Sequence, residues 1–264
     1  MPEYLANHLG KIAPQLRGAR RVLLFSDFDG TLTPIKNRPA ECFLDPAVRN
    51  VLQTLAESKQ FAVGVVSGRE LADLRPRVGI KGIAYAGNHG LEIEGPGFSF
   101  LEPIAVSRKS ELDKLLADVA PALAGISGVW IQHKGLSASI HYRQAEPATI
   151  PPLLATIRRL SAPSVDANRF TLRSGKMVME IRPAVNWHKG KAVVWLANHL
   201  ALGDEKPPTI YLGDDNTDED AFRELPDGIT IAIGNKRMTA AKYSLPNPSA
   251  VHAFLNWLLT TIVN

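Results

Sequence analysis

Two aspartates stand two residues apart in Asp27-Phe28-Asp29-Gly30-Thr31. In a tight turn both carboxylates can face one site, and Gly30 frees the backbone to make that turn, left-handed if required. A DxDG turn standing alone is as readily a solvated Asp-Gly turn. A second acidic group lies far downstream, in Gly213-Asp214-Asp215-Asn216-Thr217-Asp218-Glu219-Asp220. So many carboxylates in one turn repel one another unless a cation or a basic side chain sits among them. Oxygen-only ligands suit a hard cation such as Mg²⁺. A helix N-terminus also favours acidic residues, which accounts for Glu219 and Asp220 but not for Asp214. Two further segments suit an anion. Ser67-Gly68-Arg69 offers a hydroxyl and backbone amides, and His188-Lys189-Gly190-Lys191 offers a lysine that neutralises phosphoryl charge. Each has a plainer reading, as a helix cap and as a surface lysine.

The elements that would position these residues follow from hydrophobic pattern. Val22-Leu23-Leu24-Phe25 is a continuous apolar run, as expected of a strand covered on both faces, and it stops at Ser26-Asp27. Phe61 to Val66 is a second such run, ending in Ser67. Residues 83–86 form a third, ending in Gly87-Asn88-His89-Gly90. Thr209 to Leu212 precedes the downstream acidic turn, and Ile229 to Ile233 reads as the last strand. Helical spacing is seen over 3–17, over about 45–59 and from about Glu70. Strands alternating with helices predict an α/β protein with a doubly wound parallel sheet. The chemistry-bearing residues all fall just after strand C-termini, where such sheets bind ligands.

The middle of the chain has another pattern. Helices are expected over 108–123 and from Pro147 to about Leu160. Strands are expected over 129–134, 137–142, 169–173 and 177–182. Hairpins with helices predict a separate α+β insert over 104–184, bounded by Pro103 and Pro183, with 1–103 and 185–264 forming the core.

In order along the chain, Asp27–Thr31, Ser67, Lys189 and Gly213–Asp218 resemble the four motifs of the haloacid dehalogenase superfamily. The insert between the second and third resembles that superfamily's C2-type cap on its Rossmannoid core. A finer resemblance, over about 22–235, is to the trehalose-6-phosphate phosphatases. It rests on Asp27-Phe28-Asp29-Gly30-Thr31-Leu32-Thr33-Pro34-Ile35, Ser67-Gly68-Arg69, Gly87-Asn88-His89-Gly90-Leu91-Glu92, His133-Lys134-Gly135, His141-Tyr142-Arg143, Glu180-Ile181-Arg182-Pro183 and Tyr211 to Phe222. Residues 37–42 depart from it, because relatives often carry more acidic residues there.

The resemblance implies a Mg²⁺-dependent phosphatase acting on a sugar phosphate, with trehalose 6-phosphate as substrate. It implies Asp27 as nucleophile and Asp29 as general acid and then base. It implies a metal held by the Asp27 carboxylate, the Asp29 backbone carbonyl and Asp214, with Asp215 or Asp218 orienting bound water or Lys189. Ser67 and Lys189 are implied as contacts to the transferring phosphoryl group. Polar residues near hairpin turns are candidates for reading the sugar: Lys134, His141, Arg143, Lys176, Glu180 and Arg182, with Arg69, Asn88 and His89 from the core.

Composition limits the alternatives. A chain of 264 residues with 45% hydrophobic content can bury a sizeable core, and a net charge of +4 suits a small anion. No Lys/Arg stripe argues for nucleic acid, and no apolar run approaches the roughly 18 residues of a membrane span. The single cysteine, Cys42, excludes an internal disulfide and reads as a packing residue. No signal-peptide pattern opens the chain, so the expected compartment is the cytoplasm. No obligate protein partner is implied. Neither GxGxxG nor GxxxxGK[ST] occurs. Three readings compete: a phosphatase for another glycosyl phosphate, a phosphosugar mutase of the same superfamily, and a non-catalytic sugar-phosphate sensor. The sensor would be expected to lack Asp27 or Asp29, and both are present.

Overall fold

The computed structural model describes residues 1–203, 206–235 and 238–263. The chain divides into two compact units, Met1–Phe100 with Trp187–Asn264, and Leu101–Asn186. The expected bounds of the insert, 104 and 184, fall just inside the second.

The first unit starts with a two-residue strand, β1 (Glu3–Tyr4), a 3₁₀ turn and helix α1 (Leu9–Arg17). Strand β2 (Val22–Ser26) is buried throughout. There follow α2 (Pro46–Glu57), β3 (Phe61–Val66), α3 (Leu71–Val78), β4 (Ala84–Gly87), β5 (Glu92–Gly95) and β6 (Phe98–Leu101). Asp45 caps α2 by accepting from the Ala47 N–H at 2.8 Å, with Pro46 in the first turn.

The second unit holds α4 (Pro103–Ser107), α5 (Lys109–Leu123), β7 (Trp130–His133), β8 (Ala138–His141), α6 (Ile150–Asp166), β9 (Phe170–Gly175) and β10 (Val178–Pro183). Its four strands form one sheet in the order β7-β8-β10-β9, with every neighbouring pair antiparallel. Ile140, Met179 and Ile181 pack with Leu112, Leu116, Leu153 and Ile157 in a core of its own. The alternate residues along the same strands, Ser139, Glu180 and Arg182 among them, therefore stand on the other face.

The chain returns to the first unit with α7 (Lys189–Leu200), β11 (Thr209–Gly213), α8 (Asp218–Glu224), β12 (Ile229–Ile233), β13 (Tyr243–Leu245) and α9 (Pro248–Leu258). The nine strands run in the order β1-β13-β12-β11-β2-β3-β4-β5-β6. The β13-to-β4 pairings and the β1–β13 pair are parallel, whereas β5 is antiparallel to β4. Val22, Leu24, Val63 and Val65 pack on one face with α1, α2, α3 and α9. Leu23, Phe25, Ala62 and Val66 pack on the other with α7 and α8. Helices on both sides of the sheet explain why β2 and β3 read as unbroken apolar runs.

Three expectations about elements need correction, and one hairpin was unforeseen. The N-terminal helix begins at Leu9, not near residue 3, because Glu3–Tyr4 pairs with β13 as an edge strand. β12 is not the last strand, since β13 follows it. The hairpin β5–β6 extends the other edge and was not anticipated. β1 and β13 are too short to carry a period. Helix α6 also runs to Asp166 rather than ending near Leu160, with Pro163 inside its last turn. No described helix is long and apolar enough to cross a membrane.

Candidate active site

β2 lies where the sheet order reverses, between β3 on one side and β11 on the other. A loop leaving the C-terminal end of such a strand opens into the crevice where these sheets take ligands. The Asp27 N–H donates to the Leu212 carbonyl at 2.9 Å, so the ladder carries Asp27 to the end of β11. The chain then folds back on itself. The Leu32 and Thr33 N–H groups both donate to the Phe28 carbonyl at 3.1 Å, and the Gly30 N–H donates to the Thr33 carbonyl at 2.7 Å. Gly30 has φ +92°, and a Cβ there would meet the Asp214 Oδ2 at 2.3 Å. Gly30→Ala should therefore lose about 1–3 kcal/mol from backbone strain alone and displace Asp214. Equilibrium unfolding measures the first effect and phosphate release the second; an unaltered variant in both assays would refute this account of the glycine.

Lys189, the first residue of α7, is 2% exposed. Its ammonium donates to Asp27 Oδ1 at 2.6 Å and to Asp218 Oδ1 at 2.8 Å. Asp218 is fully buried and also accepts from the Tyr211 hydroxyl at 2.7 Å and the Asp215 N–H at 2.8 Å. Gly213 permits this close fit, for a Cβ there would lie 2.3 Å from the Asp218 Cγ. Burial pushes the Asp27 carboxyl well above the usual range, against the opposing pull of Lys189 and with help from Asp218 and Asp214. Burial also works against charge on Lys189 and Asp218. There the mutual attraction wins, so the ammonium is held above the lysine range and Asp218 below its own. Burial and the charge of Asp218 raise the Tyr211 phenol, which stays a donor.

Among the described residues, Asp27, Asp214 and Asp218 each offer an oxygen within 4.8 Å of the others. These are three buried carboxylates, and oxygen donors of this kind are what a hard divalent cation takes. The donor set fits Mg²⁺. Within it Asp218 already has three donors on its two oxygens, so it is better placed to hold Lys189 than to ligate. Asp214 is 8% exposed, with the Thr31 hydroxyl 3.4 Å from its Oδ1. Asp215 is partly buried.

The Asp29 carboxylate is held by Arg69. The guanidinium donates from Nε to Oδ2 at 2.6 Å and from Nη2 to Oδ1 at 2.8 Å. Charge-assisted bonds to Asp29 and Asp73 raise the Arg69 guanidinium further, against its burial. Ser67 is buried, its hydroxyl accepting from the Arg69 N–H at 3.2 Å. The turn at 67–69 is zipped to the turn after β4. The His89 N–H donates to the Ser67 carbonyl at 2.9 Å and the Asn88 N–H to the Arg69 carbonyl at 2.6 Å. Asn88 and His89 are buried with φ of 49° and 59°, a conformation uncommon outside glycine. The Asn88 amide donates to Glu92 Oε1 at 2.7 Å, and the Trp187 indole N–H donates to the Gly90 carbonyl at 2.7 Å. Both hold the turn in that shape.

In the second unit the structure gathers some candidates and separates others. Lys134 is 7% exposed, with its Nζ 3.5 Å from Glu180 Oε1. Arg182 donates from Nε to Glu180 Oε2 at 2.9 Å, and its Nη2 bonds the same oxygen. His141 contacts the Gln132 side chain at 3.0 Å and stacks on Trp130 at 3.9 Å between centroids. Arg143 and Lys176 lie at the opposite end of the β8–β10 ladder, both exposed, with Arg143 Nη2 donating to the Lys176 carbonyl at 2.8 Å.

The trehalose-phosphatase family model matches residues 25–249. The chain belongs to that family. Other trehalose-phosphatase sequences resemble it along most of its length. It is 38% identical over 247 residues to a trehalose-phosphate phosphatase of Mycobacterium bovis, and 36% identical over 249 residues to one of Mycobacterium marinum. The matches cover 91% and 92% of this chain but 62% of each relative, so the chain spans about three fifths of the curated relatives' length. Among solved structures, an Aspergillus fumigatus trehalose-6-phosphate phosphatase superposes with a TM-score of 0.67 at 26% identity, covering 99% of this chain and 100% of that one. The C-terminal domain of the Candida albicans trehalose-6-phosphate phosphatase gives 0.82 at 22% identity and 98% coverage of both, a likeness of fold.

Pattern reading missed several residues that shape this site. Asp73 and Arg77 extend the ion pairs behind Arg69, and Tyr211 and Thr31 hold Asp218 and Asp214. The spacing of Arg69, Asp73 and Arg77, four residues apart, was the available signal for the first two.

Proposed function

We propose that the chain is a Mg²⁺-dependent phosphatase that hydrolyses trehalose 6-phosphate through an aspartyl-phosphate. The observation that carries this reading is the buried group at the switch point. There one ammonium bridges Asp27 and Asp218, and Asp214 completes a set of oxygen donors. An Asp27 oxygen attacks phosphorus while the bond from phosphorus to the sugar oxygen breaks. Asp29 gives its proton to the departing sugar oxygen, then takes one from the water that attacks the aspartyl-phosphate, releasing inorganic phosphate and restoring Asp27. Lys189 and Ser67 offset the charge that gathers on the phosphoryl oxygens. The residues to hold Mg²⁺ are Asp27, Asp214 and the backbone carbonyl of Asp29, and the bound ion would screen an anionic nucleophile from an anionic ester.

The 101–186 unit serves in this reading as the cap that selects the sugar. Lys134, Glu180 and Arg182 supply both donors and acceptors, as sugar hydroxyls require. Arg143 and Lys176 are demoted by their exposure and their distance along the sheet from that group.

The test is phosphate release from trehalose 6-phosphate, other sugar phosphates and p-nitrophenyl phosphate. It is run with Mg²⁺, then with excess chelator, then with Mg²⁺ restored. Trehalose 6-phosphate should give the highest kcat/KM, and chelation should remove activity reversibly. Full activity in chelator overturns the metal reading, and preference for another ester overturns the substrate. A requirement for a sugar bisphosphate, with the phosphate retained on product, identifies a mutase instead.

A further inference from the structure

We propose that Asp73 and Arg77 are positioning residues that act on Asp29 through Arg69. This inference rests on the reading of Asp29 as the acid that protonates the leaving sugar.

The Asp29 side chain is 33% exposed and leaves a short loop, so little of its own packing fixes it. Its orientation comes from the Arg69 fork, which binds both carboxylate oxygens. That fork has no freedom left. Arg69 Nη1 donates to Asp73 Oδ2 at 2.7 Å, and Nη2 donates also to the Pro39 carbonyl at 2.8 Å. The Asp73 carboxylate is gripped from behind in turn, its Oδ1 accepting from Arg77 Nε at 2.7 Å. Arg77 Nη1 ends the chain on backbone, at the Ala40 carbonyl (2.8 Å) and the Cys42 carbonyl (3.1 Å). Its guanidinium also lies over the Phe43 ring at 4.9 Å.

The result is a row of four alternating charges, Asp29–Arg69–Asp73–Arg77. Helix α3 carries Asp73 and Arg77, and both guanidiniums are tied to the backbone of the segment after the DxDGT turn. Both guanidiniums use planar, two-nitrogen contacts, which a lysine cannot reproduce. The same contacts also tie down residues 39–42, so a purely structural role must be separated by experiment.

Leaving-group dependence separates them. A sugar oxygen leaves as a poor anion and needs the Asp29 proton as its bond to phosphorus breaks. A p-nitrophenolate leaves as a stable anion and does not. Because kcat/KM reports the steps up to aspartyl-phosphate formation, a misplaced Asp29 lowers it for the sugar ester selectively. The experiment compares Asp73→Asn, Asp73→Ala and Arg77→Ala with the unaltered chain on trehalose 6-phosphate and p-nitrophenyl phosphate, with the thermal midpoint of each variant recorded.

We expect kcat/KM for trehalose 6-phosphate to fall about tenfold through kcat with KM little changed, and the ratio between the two esters to fall by nearly the same factor. Arg77→Lys, which keeps the charge without the fork, should recover only part of the loss. Equal losses on both esters, or no loss in a folded variant, overturn the proposal. If Asp73→Ala does not fold, Arg77→Ala alone must show the split for the proposal to stand. An unaltered chain inactive on every ester removes the phosphatase reading itself, an outcome distinct from an active enzyme whose variants show no split.

Discussion

Asp27→Asn should abolish turnover, lowering kcat by about 10³-fold or more, while the protein stays folded. The amide keeps an oxygen to accept from Lys189, so the bond at 2.6 Å has a successor. It lacks the anionic oxygen that forms the bond to phosphorus. Burial opposes the Asp27 charge more than any other influence on it, and Asp214 and Asp218 add repulsion. Neutralising this position should therefore leave the thermal midpoint unchanged or raise it. Two measurements decide the matter: phosphate release, and acid-quench trapping of a covalent phosphoryl-enzyme, which the variant should not form. Substantial release by folded Asp27→Asn would mean that another group attacks phosphorus.

Lys189→Met should be damaging in a different way. The substitution preserves length but strands two buried carboxylates that now share one ammonium. Removing one partner of a buried ion pair destabilises by about 3–5 kcal/mol, because the remaining charge is left uncompensated. We expect that loss in metal-free protein by equilibrium unfolding, together with loss of turnover. Mg²⁺ should return part of the stability, since a ligand at 100 times its Kd contributes about 2.7 kcal/mol to the folded state. The Mg²⁺-induced rise in thermal midpoint should thus be larger in the variant than in the parent. A variant as stable as the parent without metal would show that the ammonium does not neutralise this site.

Much of the core was legible because its strands are covered on both faces. The runs at Val22–Phe25 and Phe61–Val66 had no alternation to confuse them, and the polar turn after each marked where a ligand site was expected. What sequence could not supply was the company each charged residue keeps. Lys189 and Asp27 are separated by 162 positions, and nothing local to His188-Lys189-Gly190 distinguishes a buried ammonium from a surface one. Arg69 illustrates the same limit. The helical spacing to Asp73 and Arg77 was visible, but the pairing with Asp29, 40 positions away, required the sheet. In the second unit, residue type alone put Arg143 and Lys176 on a par with Lys134 and Glu180. Burial separates them, and burial depends on which face of each strand the helices cover. The short edge strands were missed for a related reason: two or three residues carry no period, and Glu3–Tyr4 is a strand only because Tyr243 and Ser244 lie beside it.

The central place of β2 also has a consequence for synthesis. One edge of β2 pairs with β3, whose last residue is 66, while the other pairs with β11, which ends at 213. At about 5–20 residues per second, roughly 7–30 s of translation separate those two events. A half-sheet formed in that interval would have β2, Val-Leu-Leu-Phe-Ser, as its edge strand, with one side unpaired. Such an edge is a template for pairing with other chains. Slowing translation between residues 66 and 213 should therefore lower the yield of folded protein, and shielding the β2 edge should restore it.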